Sequence, residues 1–426
     1  MKFPAAFDAL RNRDYRLLWL GAVASLMSAQ MRQLANGYLA YELTGSAAVL
    51  GAVILGQSLP SFFLSMFGGV VADRVKRRPL LILTQSSIFL DSCLMALLVL
   101  TGWVEVWHIA LLGVWHGSVL SFNQPARQAY MVELAGSQNV TQAIALYSSG
   151  QTIVRIIGPL LAAGLIGVPF IGIEGVFIAI ATCYSLPVVS LFLIRARPEA
   201  RTQPRRAILT EFKDGISYVK NHNVLRILII VGLVPPLLGN HYQQFLAVFA
   251  SEDVLDVGPT GLSLMATFTG IGAFLGAMAV AAFGQMRRRG LVQLGAGGGF
   301  GLMLVAFASS DYFPLALLAL VGVGLGFALF QTLNSTLTLA FTDPAYYGRV
   351  SAVMQINNSM ASFVIVPIGL LVDALGAPTV MMISGLLIFL FWTFIGLFVR
   401  SYRQIEMPAR PPEPESKPQP SPAAVS

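Results

Sequence analysis

Three ionisable side chains stand where an apolar sequence should hold none. Arg32, Asp91 and Arg155 each sit deep inside a long hydrophobic stretch. A charge at the centre of a lipid-embedded helix costs about 2.5–3.5 kcal/mol on insertion scales, so such residues are functional candidates. Two chemistries are open to Asp91: a fixed ion pair with Arg32 or Arg155 that sets helix register, or a carboxylate that takes up and releases a proton. The second works because a nearby cation favours the ionised form while desolvation favours the proton, so a change of access can switch the group. Glu42, beside Tyr41, is a further candidate proton carrier, with a structural role as hydrated carboxylate or helix cap as its alternative. No metal site or disulfide framework is suggested, since Cys93 and Cys183 both lie in apolar stretches without ligand-like spacing. A phosphate loop of the G-x-x-x-x-G-K-S/T type is absent, which argues against ATP hydrolysis by this chain.

The elements that must position these groups follow from composition. The chain is 56% hydrophobic and only 11% charged over 426 residues, with a mean hydropathy of +0.72, so lipid must cover much of its surface. Apolar runs of about 20 residues span a bilayer as helices, which satisfy their own backbone. Windows of about 19 residues predict spans at 17–42, 47–72, 79–101, 105–124, 140–166, 171–194, 223–250, 260–284, 290–309, 313–340, 348–375 and 378–399. The predicted fold class is all-α integral membrane: twelve transmembrane helices in two six-helix bundles. All of the 27 Lys and Arg except Arg32, Arg155 and Arg226 fall on alternate loops or the termini, which sets both termini in the cytoplasm. That distribution also makes the net charge of +7 a matter of membrane topology; no nucleic-acid partner is expected. Arg32, Asp91 and Arg155 lie about 12–15 residues into spans of one direction, so at about 1.5 Å per residue they reach similar depths and could form one buried network.

Residues 195–222 form the only long internal loop and divide the chain into an N-terminal bundle (1–194) and a C-terminal bundle (223–400). Ile208, Leu209, Phe212, Ile216 and Val219 share one helical face there, with Lys213 and Lys220 placed for anionic headgroups, so an interfacial helix is expected. The halves repeat: FNQPA (Phe122 to Ala126) and FTDPA (Phe341 to Ala345) close the fourth span of each. Basic runs also follow the second span of each, at Arg74–Arg78 and Arg287–Arg289. Parallel six-helix repeats point to alternating access around a midplane site. Residues 401–426 are too polar and proline-rich to bury a core and are expected to be disordered and cytoplasmic.

The loop GVVADRVKRRPLL (Gly69 to Leu81) resembles the signature loop of the major facilitator superfamily, with Lys76 in place of its second glycine. The resemblance implies that Gly69 permits close helix approach, that Asp73 meets a neighbouring helix end or arginine, and that Arg74, Arg77 and Arg78 make cytoplasmic charge contacts that break during turnover. Four segments are similar to the bacterial exporter branch that contains macrolide-efflux and enterobactin-efflux proteins: YELTGSAAVLG (Tyr41 to Gly51), FNQPARQAYMVEL (Phe122 to Leu134), RIIGPLLAAG (Arg155 to Gly164) and GRVSAVM (Gly348 to Met354). Gly158 and Pro159 resemble that branch's antiporter motif, where they would allow a bend and close packing against the other half.

Carried over from the family, spans 1, 4, 7 and 10 would line the central cavity. The candidates are Gln30, Gln33 and Asn36, then His116, then Asn240, His241, Gln243 and Gln244, then Gln331 and Asn334, with Phe245, Phe327 and Phe330 as aromatic surface. Such a mixture suits bulky amphipathic compounds. The expectation is a proton-coupled exporter of drugs, macrolides or siderophores in the bacterial plasma membrane, working as a monomer without cofactor. Its partners are a small-molecule substrate, a proton and the lipid bilayer. An importer or lipid transporter of the same fold, or a membrane sensor or scaffold, are the alternatives.

Overall fold

A computed structural model describes residues 10–136, 140–166, 168, 171–195, 208–251, 254–282, 288–343, 346–347, 349–351, 353–354 and 361–403. Every regular element among them is helical. Before the linker run α1 (Arg13–Thr44), α2 (Ala47–Arg74), α3 (Arg77–Leu100), α4 (Val106–Ala135), α5 (Val140–Ile166) and α6 (Gly172–Leu193). The linker contributes α7 (Ile208–Asn221). After it come α8 (Asn223–Leu238), a 3-10 turn (Asn240–Gln243), α9 (Leu246–Ala250), α10 (Gly258–Ala282), α11 (Arg289–Ala308) and α12 (Phe313–Ala340). A second 3-10 turn (Ala361–Val364), α13 (Ile365–Leu375), α14 (Ala377–Phe398) and α15 (Arg400–Arg403) complete the described elements.

Eight segments among the described residues are long and apolar enough to cross a membrane: α2, α3, α6, α8 with α9, α10, α11, α12 and α14. The twelve-span expectation is therefore met only in part. Expected spans 1, 4 and 5 fall on α1, α4 and α5, long helices whose apolar sequence is diluted by residues such as Arg32, Asn36, His116, Asn123 and Arg127. Expected span 11 is described only at its ends. The expected seventh span, 223–250, is interrupted: Pro235 and Pro236 precede a 3-10 turn at Asn240–Gln243. Proline removes a backbone donor and favours such a break.

Local sequence explains the helix ends. The Asn12 side chain accepts the amides of Asp14 and Tyr15, and Gly45 closes α1 at φ 63°. Asn12 also donates to the Leu134 carbonyl at 2.7 Å, tying the start of α1 to the end of α4. That end, with the α2–α3 turn and the end of α6, defines the linker face; the opposite end is the far face.

Helices before the linker pack chiefly on one another, as do those after it, and the same crossing recurs in both sets. A Cβ on Gly68 would strike the Ser121 carbonyl and one on Gly117 the Gln57 carbonyl, so α2 and α4 touch backbone to backbone. Gly272 against Val321 and Gly324 against Thr269 do the same for α10 and α12. Close small-residue crossings of this kind gain van der Waals contact that larger side chains forbid.

At the far face the two sets meet. Asp373 of α13 accepts the Ala47 amide (2.6 Å), the Ala48 amide (3.1 Å) and the Ser46 hydroxyl (2.6 Å), capping α2 across the interface. Gly51 lies against the Ile365 carbonyl and Gly369 against Ala47, and Leu34, Tyr38 and Tyr41 of α1 pack on a core that joins Ala47 and Leu50 of α2 to the second set. At the linker face the described ion pairs join neighbours: Arg77 with Glu133, and Arg349 with Asp214 at 3.9 Å. The linker helix forms as expected, but its Val219 is buried beside Ile229 and Val350. Tyr218 stacks on Tyr346 at 4.2 Å and accepts the Asp343 amide at 3.0 Å. Protein as well as any headgroup therefore holds α7.

Candidate functional site

The core of the first set encloses a charged cluster. Arg32 Nη1 donates to Asp91 Oδ2 with both residues about as buried as core leucines, at 3% and 4% exposure. His116, 1% exposed, places Nδ1 at 3.1 Å from Arg32 Nη1 and 3.3 Å from Asp91 Oδ2. One imidazole nitrogen cannot accept from the guanidinium and donate to the carboxylate at once. The proton on His116 Nδ1 therefore decides which neighbour it bonds. Arg32 Nη2 donates to the Leu112 carbonyl at 3.4 Å. The cluster remains incompletely satisfied: Asp91 Oδ1, Arg32 Nε, Asn36 Oδ1 and the Tyr184 hydroxyl have no hydrogen-bond partner, although Tyr184 stands edge-on to His116 with ring centroids 6.0 Å apart. A buried pair with unused polar atoms is stabilised poorly as a static device.

Arg32, one of the two arginines expected, thus pairs with Asp91. The side chain of Arg155 lies outside the described residues. His116 belongs to the ion cluster and not to a cavity wall, a correction that follows from α4 turning its 116 face into the bundle. Positions 116, 123 and 127 continue that stripe at helical spacing. Asn123 Nδ2 donates to Thr84 Oγ1 (2.8 Å) and Gln85 Oε1 (3.2 Å), and Gln85 Nε2 donates to Ser25 (3.4 Å). Arg127, 5% exposed, completes the stripe. The sequence reading assigned Arg127 to a basic loop because it ended the fourth span at 124. The helix instead runs through Pro125 to Ala135, since neighbouring helices in a membrane bundle tolerate an internal proline.

At the linker face, Arg77 pairs with Glu133, and Arg78 donates to the last carbonyls of α6, Leu191 at 3.1 Å and Phe192 at 3.2 Å, where the helix dipole favours a cation. Arg74 is exposed, and the side-chain positions of Gly69 and Asp73 lie outside the described residues. Glu42 is exposed at the far end of α1, apart from the cluster. Gly158 admits Gln30 of α1, in its own half: a Cβ there would stand 2.5 Å from the Gln30 Cβ. α5 as a whole also packs on α10 of the other half; Pro159 lies outside the described side chains.

The remaining cavity candidates separate into two groups. Gln33 and Gln243 are exposed, and Gln30, Asn240, Gln244 and Gln331 half-buried. Asn36, His241 and Asn334 are buried. Asn334 Oδ1 accepts from Gln293 Nε2 at 3.0 Å and packs on Gly232, so it joins α12 to α11 and α8. His241 lies edge-on to Phe245 with ring centroids 6.3 Å apart, beside the break in the seventh span. Phe245 and Phe330 are wholly buried in the aromatic core with Phe300 and Trp392. That corrects their expected place on the cavity surface and leaves Phe327, half-buried, as the aromatic candidate. Besides Arg127, Glu133 and Gln293, sequence reasoning missed Asp373; its signal was a lone carboxylate ending an apolar helix, facing a chain entry at Ser46.

A family model described as transmembrane secretion effector matches residues 4–419. Among curated relatives, macrolide efflux protein A of Streptococcus pyogenes is 24% identical over 385 residues, covering 87% of this chain and 92% of its own. The enterobactin exporter EntS of Citrobacter koseri is 25% identical, covering 83% and 82%. Among solved structures, a bacterial homologue of the human lysosomal transporter Spinster superposes with a TM-score of 0.72 at 13% identity, covering 94% of this chain and 99% of that one.

Proposed function

Because the chain belongs to the transmembrane secretion effector family of major facilitator transporters, and so is a multi-pass membrane protein, we propose that it exports small amphipathic compounds in exchange for protons. The compounds are of the drug, macrolide or siderophore kind, and the setting is the bacterial inner membrane. The observation that carries the reading is the Arg32–Asp91–His116 cluster: three titratable or charged groups buried together with two of their polar atoms unused. In a lipid-embedded bundle such a cluster is a costly feature for a purely structural purpose.

The two sets of helices act as bundles of six, 1–194 and 223–400, with both termini and α7 in the cytoplasm. The described hydrogen bonds between the two sets lie at the far face, while α5 also packs on α10; we infer that this conformation opens toward the linker face and receives substrate there. Opening the far face breaks the Asp373 cap, admits a proton and lets substrate leave. Proton uptake by Asp91 cancels its charge and frees Arg32. Return to the linker-open form restores the ion pair and expels the proton toward the cytoplasm. The exposed and half-buried amides Gln30, Gln33, Asn240, Gln243, Gln244 and Gln331 supply mixed donors and acceptors for the substrate.

Inverted vesicles energised to an acidic interior test this directly. Addition of macrolides and catechol siderophores should release protons with wild type and not with Asp91→Asn. Release by both proteins would remove Asp91 from coupling. Uptake of compound without proton movement would point to export coupled to another ion, whereas no uptake would favour an importer, a lipid transporter or a sensor built on the same fold.

A further inference from the structure

Arg127 is a buried cation that the transport reading leaves without work. It is 5% exposed, its Nε and Nη1 have no hydrogen-bond partner, and it is absent from the described ion pairs. A buried charge left without its partner is strongly destabilising because nothing compensates its lost hydration, so Arg127 calls for a counter-charge. Arg127 lines a crevice between α1, α3, α4 and α6, together with Gln85, Ser190, Leu18 and Gly21. The enclosed part has room for one water-sized group, too little for a drug-like substrate. Gly21 keeps it narrow, since its Cβ would collide with Ser190.

We propose that Arg127 and its crevice bind a small monovalent inorganic anion of chloride size, with the guanidinium as the charged donor. A halide fits on each count. It needs no room beyond a single atom, it is satisfied by donors alone, and Arg127 offers donors and no acceptor. Such an ion also bears on the coupling cluster. Tyr184, with its hydroxyl buried and unpartnered, is within electrostatic reach of Arg127, Arg32 and Asp91 alike, so the anion would screen one cation from the neighbouring pair.

The test uses the full-length protein in detergent, with sodium chloride replaced by sodium gluconate at constant ionic strength. Chloride, and bromide in its place, should raise the melting temperature saturably by about 2–4 °C, the shift that ligand linkage gives at this size. The rise should vanish in Arg127→Gln, and in gluconate that variant should melt no lower than wild type, because it removes an uncompensated charge. An equal chloride response in Arg127→Gln, or identical melting of wild type in the two salts, would overturn the site. Should the variant not fold, chloride-35 NMR on wild type decides: line broadening that bromide reverses supports the site, and its absence refutes it.

Discussion

The two halves of the molecule share a crossing geometry and differ in what they bury. In the first half, α3 and α4 carry Asp91, His116, Asn123 and Arg127 against Arg32 of α1. In the second, α11 and α12 bury the neutral amides Gln293 and Asn334, with Arg289 at the start of α11 as a buried charge, and the core around them is aromatic: Phe245, Phe249, Phe300, Phe307, Phe330 and Trp392. Both halves satisfy the same packing rule at their glycines, so the difference is not one of architecture. Charge is concentrated in one half because charge carries a desolvation cost that packing does not need. The aromatic half provides a stiff frame against which a titratable half can move, with aromatic burial supplying the larger payload per residue.

The comparison breaks most sharply at Asp91. Asp91→Asn leaves Arg32 buried beside a neutral amide, an expected loss of about 3–5 kcal/mol for an unpaired charge, and proton exchange should fall at least tenfold in vesicles. The double variant Arg32→Gln with Asp91→Asn separates the roles. Neutralising both restores melting temperature toward wild type, while exchange stays lost. If the double variant recovered exchange, the charged half would be structural and no different in kind from its partner.

The glycine crossings should behave alike in both halves, which sharpens the contrast from the other side. Gly117→Ala drives a methyl into the Gln57 carbonyl and Gly324→Ala into that of Thr269. Overpacking of this kind costs about 1–3 kcal/mol, and thermal melts should show comparable losses for the two. A loss confined to one half would show that the repeat is not mechanical.

The pattern legible in sequence was the one that depends on averages. Apolar windows located the helices, the signature at Gly69–Leu81 indicated the superfamily, and the depth of Arg32 and Asp91 brought them together. What sequence could not supply was side-chain direction. His116, Phe245 and Phe330 were assigned to a cavity because their helices line one by resemblance, yet a few tens of degrees of helix rotation put them in the core. Arg127 was hidden by Pro125, read as an ending when tertiary contacts carry the helix past it. Asp373 could not be found from its own helix, because its partners at Ser46, Ala47 and Ala48 lie across the interface between halves.

That interface provides a smaller effect. Asp373→Asn removes the charge from the cap of α2, where carboxylates at helix N-termini contribute about 0.3–1 kcal/mol when exposed and up to about 2 when partly buried. The linker-open population should fall by roughly 2- to 30-fold relative to the far-open one, readable as increased labelling of a cysteine placed at the far face. Unchanged labelling would mean that α1, through Leu34, Tyr38 and Tyr41, holds the closure unaided.

The smallest effect should come from the neutral counterpart of the ion cluster. Gln293→Leu removes the donor to Asn334 at 3.0 Å and leaves the Asn334 carbonyl in an apolar site. Interhelical hydrogen bonds in membrane proteins average about 0.6 kcal/mol, with a maximum near 1.7, so melting should shift by only a few degrees. Proton exchange per molecule should be retained, because no charge has changed and the amide pair serves to hold α11 on α12. A variant that kept its melting temperature but lost exchange would place a second coupling element in the aromatic half, and the division of labour between the halves would have to be abandoned.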